Sequence, residues 1–406
     1  MLLEQILTNQ PESLPTNLSA LLERAHIEGW TELDLSGRSL TELPSEIGEL
    51  TQLRQLDLSG NEFRELPNVV LTLPQLETLI LGKWDEASQS EQFNWLKELP
   101  PEIAQLSNLR LLQVRYNQLE SVPAEIGQLQ RLEELNLDWN QLRSLPPELF
   151  QLRNLKKLNL GSNNLDQLSG DIGQLEQLRE LYLDWNHLSA LPPEIGQLQT
   201  LKVLNLESNE LRQLPTTFGQ LQGVRQLKLR NNPLGNFPTA LLQLKGLRIL
   251  DLDLIGLKKL PAAIAQLKNL EILDLDGNGL EELPEAIAQL TKLKRFCVGD
   301  NRLTTIPPEI FQLRQLERLD LDLNQFVNLP REIGQLQKLQ HLNLASNQFA
   351  KLPRTLRNLP QLKSLQVAGN PLPLSPETMD EEDSKVILGA YFKKQRNWLL
   401  RAFNLT

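Results

Sequence analysis

An asparagine returns every 23 residues along most of this 406-residue chain. It stands at Asn61, Asn117, Asn140, Asn163, Asn186, Asn209 and Asn232, and again at Asn278, Asn301, Asn324, Asn347 and Asn370. Trp84 and Ile255 are read as filling the same register in the two larger gaps, with Arg38 at the front. The phase then runs for fifteen units, broken by one ten-residue insertion within Trp84 to Phe93. A chain of this length would otherwise divide into two or three globular domains. A fixed period replaces that division with a stack of equal coils, each too small to bury its own apolar side chains.

Each coil reads like Leu132-Glu-Glu-Leu-Asn-Leu-Asp-Trp-Asn-Gln-Leu, then Leu145-Pro-Pro-Glu-Leu-Phe-Gln-Leu. Leu135 and Leu137 alternate with polar neighbours, the period of a strand with one buried face. The second half opens on proline in thirteen of fourteen units, Ser169 being the exception. Proline at the start of a short helical turn gives up no needed N–H, and the glutamate behind it suits the positive end. Where the strand bends away, backbone groups enter the interior unpaired. A short amide side chain supplies both a donor and an acceptor there, so stacked asparagines form a ladder. Ile255 lacks that amide and marks a local irregularity, read as a tolerated apolar replacement.

Here the sequence resembles the leucine-rich-repeat family, in its 23-residue class with an LPxxIxxL second half, over about residues 30–373. Within that class it is most similar to Ras-pathway scaffold repeats, plant intracellular Ras-group repeats and the repeat arm of bacterial Roco proteins. The resemblance implies a curved α/β solenoid, a horseshoe with a parallel sheet on its concave side and short helical turns on its convex side. It also implies an adaptor or scaffold that binds a protein on the concave surface, with a small GTPase or its regulator as partner class. The alternative is the recognition arm of a multidomain Roco-type GTPase, whose catalytic domain would start near Thr406. The chain itself holds no GxxxxGK[ST] phosphate loop.

An open stack needs covered ends. Leu18, Leu21, Leu22 and Ala25 suggest an amphipathic capping helix within residues 1–29. Ser375-Pro376-Glu377 opens another helical segment within 374–406, followed by one bearing Val386, Ile387, Tyr391, Trp398 and Leu399 with Lys393, Lys394 and Arg396 between them. A docking or membrane-surface helix is the alternative there, against which the acidic run Asp380 to Asp383 speaks.

A net charge of −10 argues against a nucleic-acid partner. One cysteine permits no disulfide within the chain. The amino terminus carries Glu4 and no basic region ahead of an apolar stretch, and no window is long and apolar enough to span a membrane. A cytoplasmic protein is therefore expected, in which the triplets at Asn17 and Asn404 fit the glycosylation pattern by coincidence. No cofactor is expected, and oligomeric state stays open. Catalysis is poorly supplied: the histidines are His26, His187 and His341. Cys297 and His341 both face the concave side but lie two strands and a register step apart, beyond the roughly 3 Å reach of a nucleophile–base pair.

Side chains pointing off the concave sheet are not needed by the framework, so their identity carries functional information. Tyr116, Trp139, Tyr182 and Trp185 form one group. The two tryptophans, two units apart over Gly161 and Ser162, would enclose a recess of the kind hot spots favour. Asp138, Asp184, Glu207, Asp253, Asp276 and Asp322 share a column, with Asp251, Asp274 and Asp320 two residues earlier in their units. Asp251, Asp253, Asp274 and Asp276 should cluster, at a repulsive cost that a basic partner could offset. Calcium would accept such oxygens, although no loop-type ligand spacing supports it. A solvated acidic face is the bland alternative. Lys156, Arg179, Lys202, Arg225 and Arg248 line the opposite edge and make the face electrically two-sided. Arg115 and Arg230 complete the expected partner-binding set.

Overall fold

The computed structural model describes residues 18–86 and 89–402, with the side chains of 396–402 left aside. Asn17, Asn404 and the side chains of Arg396, Trp398 and Leu399 fall outside the described residues. The chain divides into two compact units, Met1–Asn164 and Leu165–Thr406.

The first unit opens with helix α1 (Leu18–Glu28), which buries Leu21, Leu22 and Ala25 while His26 stays on its exposed side. Its sheet runs in chain order through β1 (Glu32–Asp34), β2 (Gln55–Asp57), β3 (Thr78–Asp85), β5 (Leu111–Val114), β6 (Glu134–Asn136) and β7 (Lys157–Asn159), all parallel. A hairpin strand β4 (Ser90–Gln92) pairs antiparallel with the end of β3 alone. The second unit carries nine parallel strands in chain order: β8 (Glu180–Tyr182), β9 (Val203–Asn205), β10 (Gln226–Lys228), β11 (Ile249–Asp251), β12 (Ile272–Asp274), β13 (Arg295–Cys297), β14 (Arg318–Asp320), β15 (His341–Asn343) and β16 (Ser364–Gln366). Strand partners are 23 residues apart, as in Leu250↔Leu273, so the sequence period is the register of the sheet.

In both units the alternate strand leucines point inward and exclude water completely, Leu135 and Leu137 in the first, Leu204 and Leu206 in the second. Burying each leucine stabilises the stack by about 1.5–3 kcal/mol. Five-residue 3-10 turns such as Pro147–Gln151 and Pro193–Gln197 close the far side. Ser169, where proline is missing, caps its turn by accepting the Asp171 amide on its hydroxyl at 3.1 Å.

The asparagine ladder is fully wired. Asn140 Nδ2 donates to the carbonyls of Val114, Leu137 and Asp138, while its Oδ1 accepts the Leu119 amide at 3.0 Å. Asn209 repeats the pattern in the second unit. The reading of Trp84 as a ladder position is corrected here. Asn94 holds that place, donating to the Leu58 and Leu81 carbonyls and accepting the Phe63 amide. The inserted residues leave the stack as the β3–β4 hairpin, and Trp84 lies exposed on it. Gly82 permits the departure: a Cβ there would sit 2.0 Å from the Arg115 carbonyl oxygen. Ile255 is buried, and the turn beside it closes locally instead: Leu234 donates to the Asn232 carbonyl and Gly235, at φ 70°, to that of Ile255.

At the carboxyl end, Ser375 caps α2 (Pro376–Met379) by accepting the Thr378 amide. The following segment lies along β16: Leu365 donates to the Glu382 carbonyl, and Ser384 to that of Lys363. It thereby occupies the hydrogen-bonding edge of the last strand, an edge otherwise open to pairing with another chain. Helix α3 (Ser384–Ala402) buries Ile387 and Tyr391, whose hydroxyl accepts the Leu352 amide at 2.9 Å. Val386, expected among the apolar cap residues, is exposed instead.

Candidate protein-binding surface

In most coils the residue just ahead of the ladder asparagine adopts the left-handed conformation. In the first unit these include Gly60, Tyr116, Trp139 and Ser162; in the second they are Trp185, Ser208, Asn231, Leu254, Gly277, Asp300, Leu323, Ser346 and Gly369. The twist turns each amide toward the next coil, as where the Leu254 N–H meets the Asp276 carbonyl at 3.1 Å. Glycine, serine, asparagine and aspartate tolerate it, whereas a bulky side chain there costs of order 1 kcal/mol. Trp139, Trp185, Leu254 and Leu323 occupy it nonetheless, and they are 53%, 60%, 43% and 52% exposed. These four large apolar groups are neither comfortable in the backbone nor used in the core.

In the first unit, Tyr116 and Trp139 pack with ring centroids 5.7 Å apart. The Arg115 guanidinium lies over Tyr116, donates to its hydroxyl at 3.0 Å and pairs with Asp138 at 3.0 Å. Burial raises the Tyr116 pKa, so the phenol stays protonated. Sequence reasoning passed over a second aromatic pair here, Phe93 and Trp95, in edge contact at 5.2 Å beside the hairpin.

In the second unit, Tyr182 is half-buried with its hydroxyl on Glu180 at 3.0 Å. Asp184, Glu207, Asp253, Asp276 and Asp322 stand in the column one residue before the left-handed position, and Asp251, Asp274 and Asp320 in the strand column. Asp251 pairs in register with Asp274. Arg230 bridges Asp253 at 3.1 Å and Glu207 at 3.7 Å. Burial, then the neighbouring carboxylates, push Asp276 up to about 7 and Asp253 to about 6. Asp184, Asp251, Asp274 and Asp322 are also raised, burial being the leading cause.

Asp274, Asp276 and Cys297 bring ligand atoms within 4.8 Å of one another. A metal would need the thiolate, and burial followed by Asp274 and Asp320 drives the Cys297 pKa upward. The thiol instead hydrogen-bonds Asp320 and accepts from Arg295, each at 3.2 Å. Register places His341 opposite Arg318 and Arg295, off the level of Cys297.

The basic edge is largely engaged. Lys156 pairs with Glu133 in the first unit. In the second, Arg248 pairs with Glu271, and Arg225 donates to the Gln222 and Val224 carbonyls. Among the described residues Arg179 and Lys202 have no ion pair. An open recess of about 610 Å³ follows this edge, with Lys202 and Arg225 beside an apolar floor of Val203, Ile249 and Ile272. That floor could have been read from the apolar residues standing where other coils carry polar ones.

Leucine-rich-repeat models match residues 52–73, 92–234, 235–324 and 314–372. This chain belongs to the leucine-rich-repeat family. A leucine-rich-repeat protein of Leptospira interrogans, LIC12759, is 39% identical, with a TM-score of 0.79 over 90% of this chain and 96% of that one. A TDR receptor is 25% identical, with a TM-score of 0.67 over 92% of this chain and 69% of the receptor. The functional domain of InlJ from Listeria monocytogenes shares the fold at 21% identity and a TM-score of 0.67, covering 84% of this chain and 68% of its own. No curated protein matches the chain significantly. Leucine-rich repeats generally serve protein–protein interaction, and among the described residues no helix of this leucine-rich-repeat protein is long and apolar enough to cross a membrane.

Proposed function

We propose that the chain is a protein-binding scaffold that recognises its partner on the open face of its sheets. Tyr116 and Trp139 are the anchors in the first unit and Trp185 in the second. The observation that carries this reading is the exposure of both tryptophans at positions where the backbone favours small residues. Arg115 and Asp138 hold the first anchor in place. Asp184, Glu207, Arg230, Asp251, Asp253, Asp274 and Asp276 supply the charge that orients a partner, acting more on approach and register than on affinity, and Tyr182 adds a neutral aromatic contact beside them. In the same reading, residues 1–29 and 374–406 cap a repeat body of 30–373. The finer version, a cytoplasmic adaptor in small-GTPase signalling, is supported by the class of the repeats alone.

The test is affinity capture from the native host with wild type beside a Trp139→Ala/Trp185→Ala variant of equal thermal stability. Loss of a specific protein partner from the variant is expected. Recovery of the same proteins in equal yield would remove both tryptophans from the interface.

A further inference from the structure

Leu254 and Leu323 are the two exposed leucines of the left-handed column in the second unit, three coils apart. Three strand spacings of about 4.8 Å set them roughly 14 Å apart. Between them the column carries Gly277 and Asp300, and Leu254 leans so far over Gly277 that a Cβ there would lie 2.5 Å from its Cδ2. One residue earlier in each coil stand Asp276, Gly299 and Asp322. Gly299 carries no side chain, and the flanking carboxylates lean over it to form a shallow notch: a Cβ on it would meet the Asp322 carboxylate at 2.8 Å and that of Asp276 at 3.4 Å. Neither Asp276, Asp300 nor Asp322 has a salt bridge among the described residues. The nearby cations, Arg295 and Arg318, are directed at Asp274 and Asp320. Two apolar ledges thus flank a notch lined by carboxylates, in which the Gly299 amide donates to Asp276 at 2.6 Å and no cation is paired among the described residues.

We propose, building on the protein-binding reading, that the second unit docks an extended basic segment of its partner. Two apolar residues four positions apart would seat against Leu254 and Leu323. A lysine or arginine midway between them would stand between the coils of Gly277 and Asp300, and its long side chain would lean over Gly299 to reach Asp276 and Asp322.

The spacing selects extended chain. Four extended residues cover about 13 Å and return the side chain to the same face, with the residue between also on that face. A helix needs about nine residues for the same distance, and nine residues turn it to the opposite side. The charge selects a cation, because a neutral residue would leave facing carboxylates without compensation.

Panning a phage library of random nine-residue peptides on the full chain tests this, with the winning peptide then synthesised and titrated by fluorescence anisotropy. The expected consensus has apolar residues at positions one and five and lysine or arginine at three. Its affinity should fall at least tenfold on Leu254→Ser/Leu323→Ser and on Gly299→Ala. Serine already occupies the left-handed position at Ser208 and Ser346, so the first variant should keep its fold. Gly299 has an ordinary backbone, so alanine there needs no backbone change and has only to push the end of the Asp322 side chain aside. No consensus, a consensus without the basic residue, or equal affinity for wild type and variants overturns the proposal. Peptides that survive these changes but are lost with Trp185→Ala would overturn it while leaving the protein-binding reading standing.

Discussion

The guanidinium of Arg115 lies 4.4 Å from the centre of the Tyr116 ring while its nitrogen holds Asp138. One side chain therefore fixes an aromatic ring in one coil to a carboxylate in the next, and Trp139 rests on that ring. The geometry depends on a planar, forked cation. Arg115→Lys should cost nearly as much stability as Arg115→Ala, about 1–3 kcal/mol, because an ammonium cannot stack and bridge at once. Urea denaturation of both variants, with Asp138→Asn to complete a double-mutant cycle, reads the coupling. Full rescue by lysine would show that charge alone matters.

Asn94 and Trp84 compete for one ladder position on paper, and only Asn94 satisfies buried backbone groups. Asn94→Ala should destabilise the protein by about 1–3 kcal/mol. Trp84→Ala, on the exposed hairpin, should stay within about 0.5 kcal/mol of wild type. The reverse order of melting temperatures would restore Trp84 to the ladder.

Asp276 binds its proton more tightly in the fold than in the unfolded chain, where a carboxyl titrates near 3.9. The folded state therefore holds the extra proton between that value and about 7, and stability declines as pH rises through this window. Asp276→Asn cannot ionise, and asparagine can still accept the Gly299 amide. Wild type should lose about 1–2 kcal/mol more than this variant between pH 5 and pH 8, after solvent screening is allowed for. Denaturation at several pH values checks it, and parallel curves would refute the burial of that charge.

Leu323 stands at φ 50° with half its surface in water. Leu323→Gly should raise stability by about 0.5–1 kcal/mol, since glycine takes this conformation freely but loses more chain entropy on folding. The same change should weaken partner binding, the usual signature of strain retained for function. A destabilised variant would mean that the leucine packs more than its exposure indicates.

Most of the fold was legible because its period is written in the residues that make it. Asn140, Leu135 and Leu137 each mark a position with one permitted chemistry. Trp84 misled because counting from Asn61 ignores chain that leaves the stack and returns; counting back from Asn117 lands on Asn94. The site was legible only in outline. Trp139 and Asp276 could be placed on the open face from the repeat. The left-handed backbone under Trp139, Leu254 and Leu323 could not, because that position accepts Gly, Ser, Asn and Asp elsewhere and shows no fixed residue type. Leu254 and Leu323 went unnoticed for a related reason: in a chain so rich in leucine, one more carries no signal.

The hairpin between Lys83 and Gln92 has an engineering consequence. Ten added residues are harmless here because the chain leaves and re-enters the stack at neighbouring points, and the next amide picks up where the last left off. A graft of unrelated length should be tolerated at this tip, provided both ends stay anchored on Gly82 and Asn94. The molecule thereby offers a display position on a well-packed repeat unit.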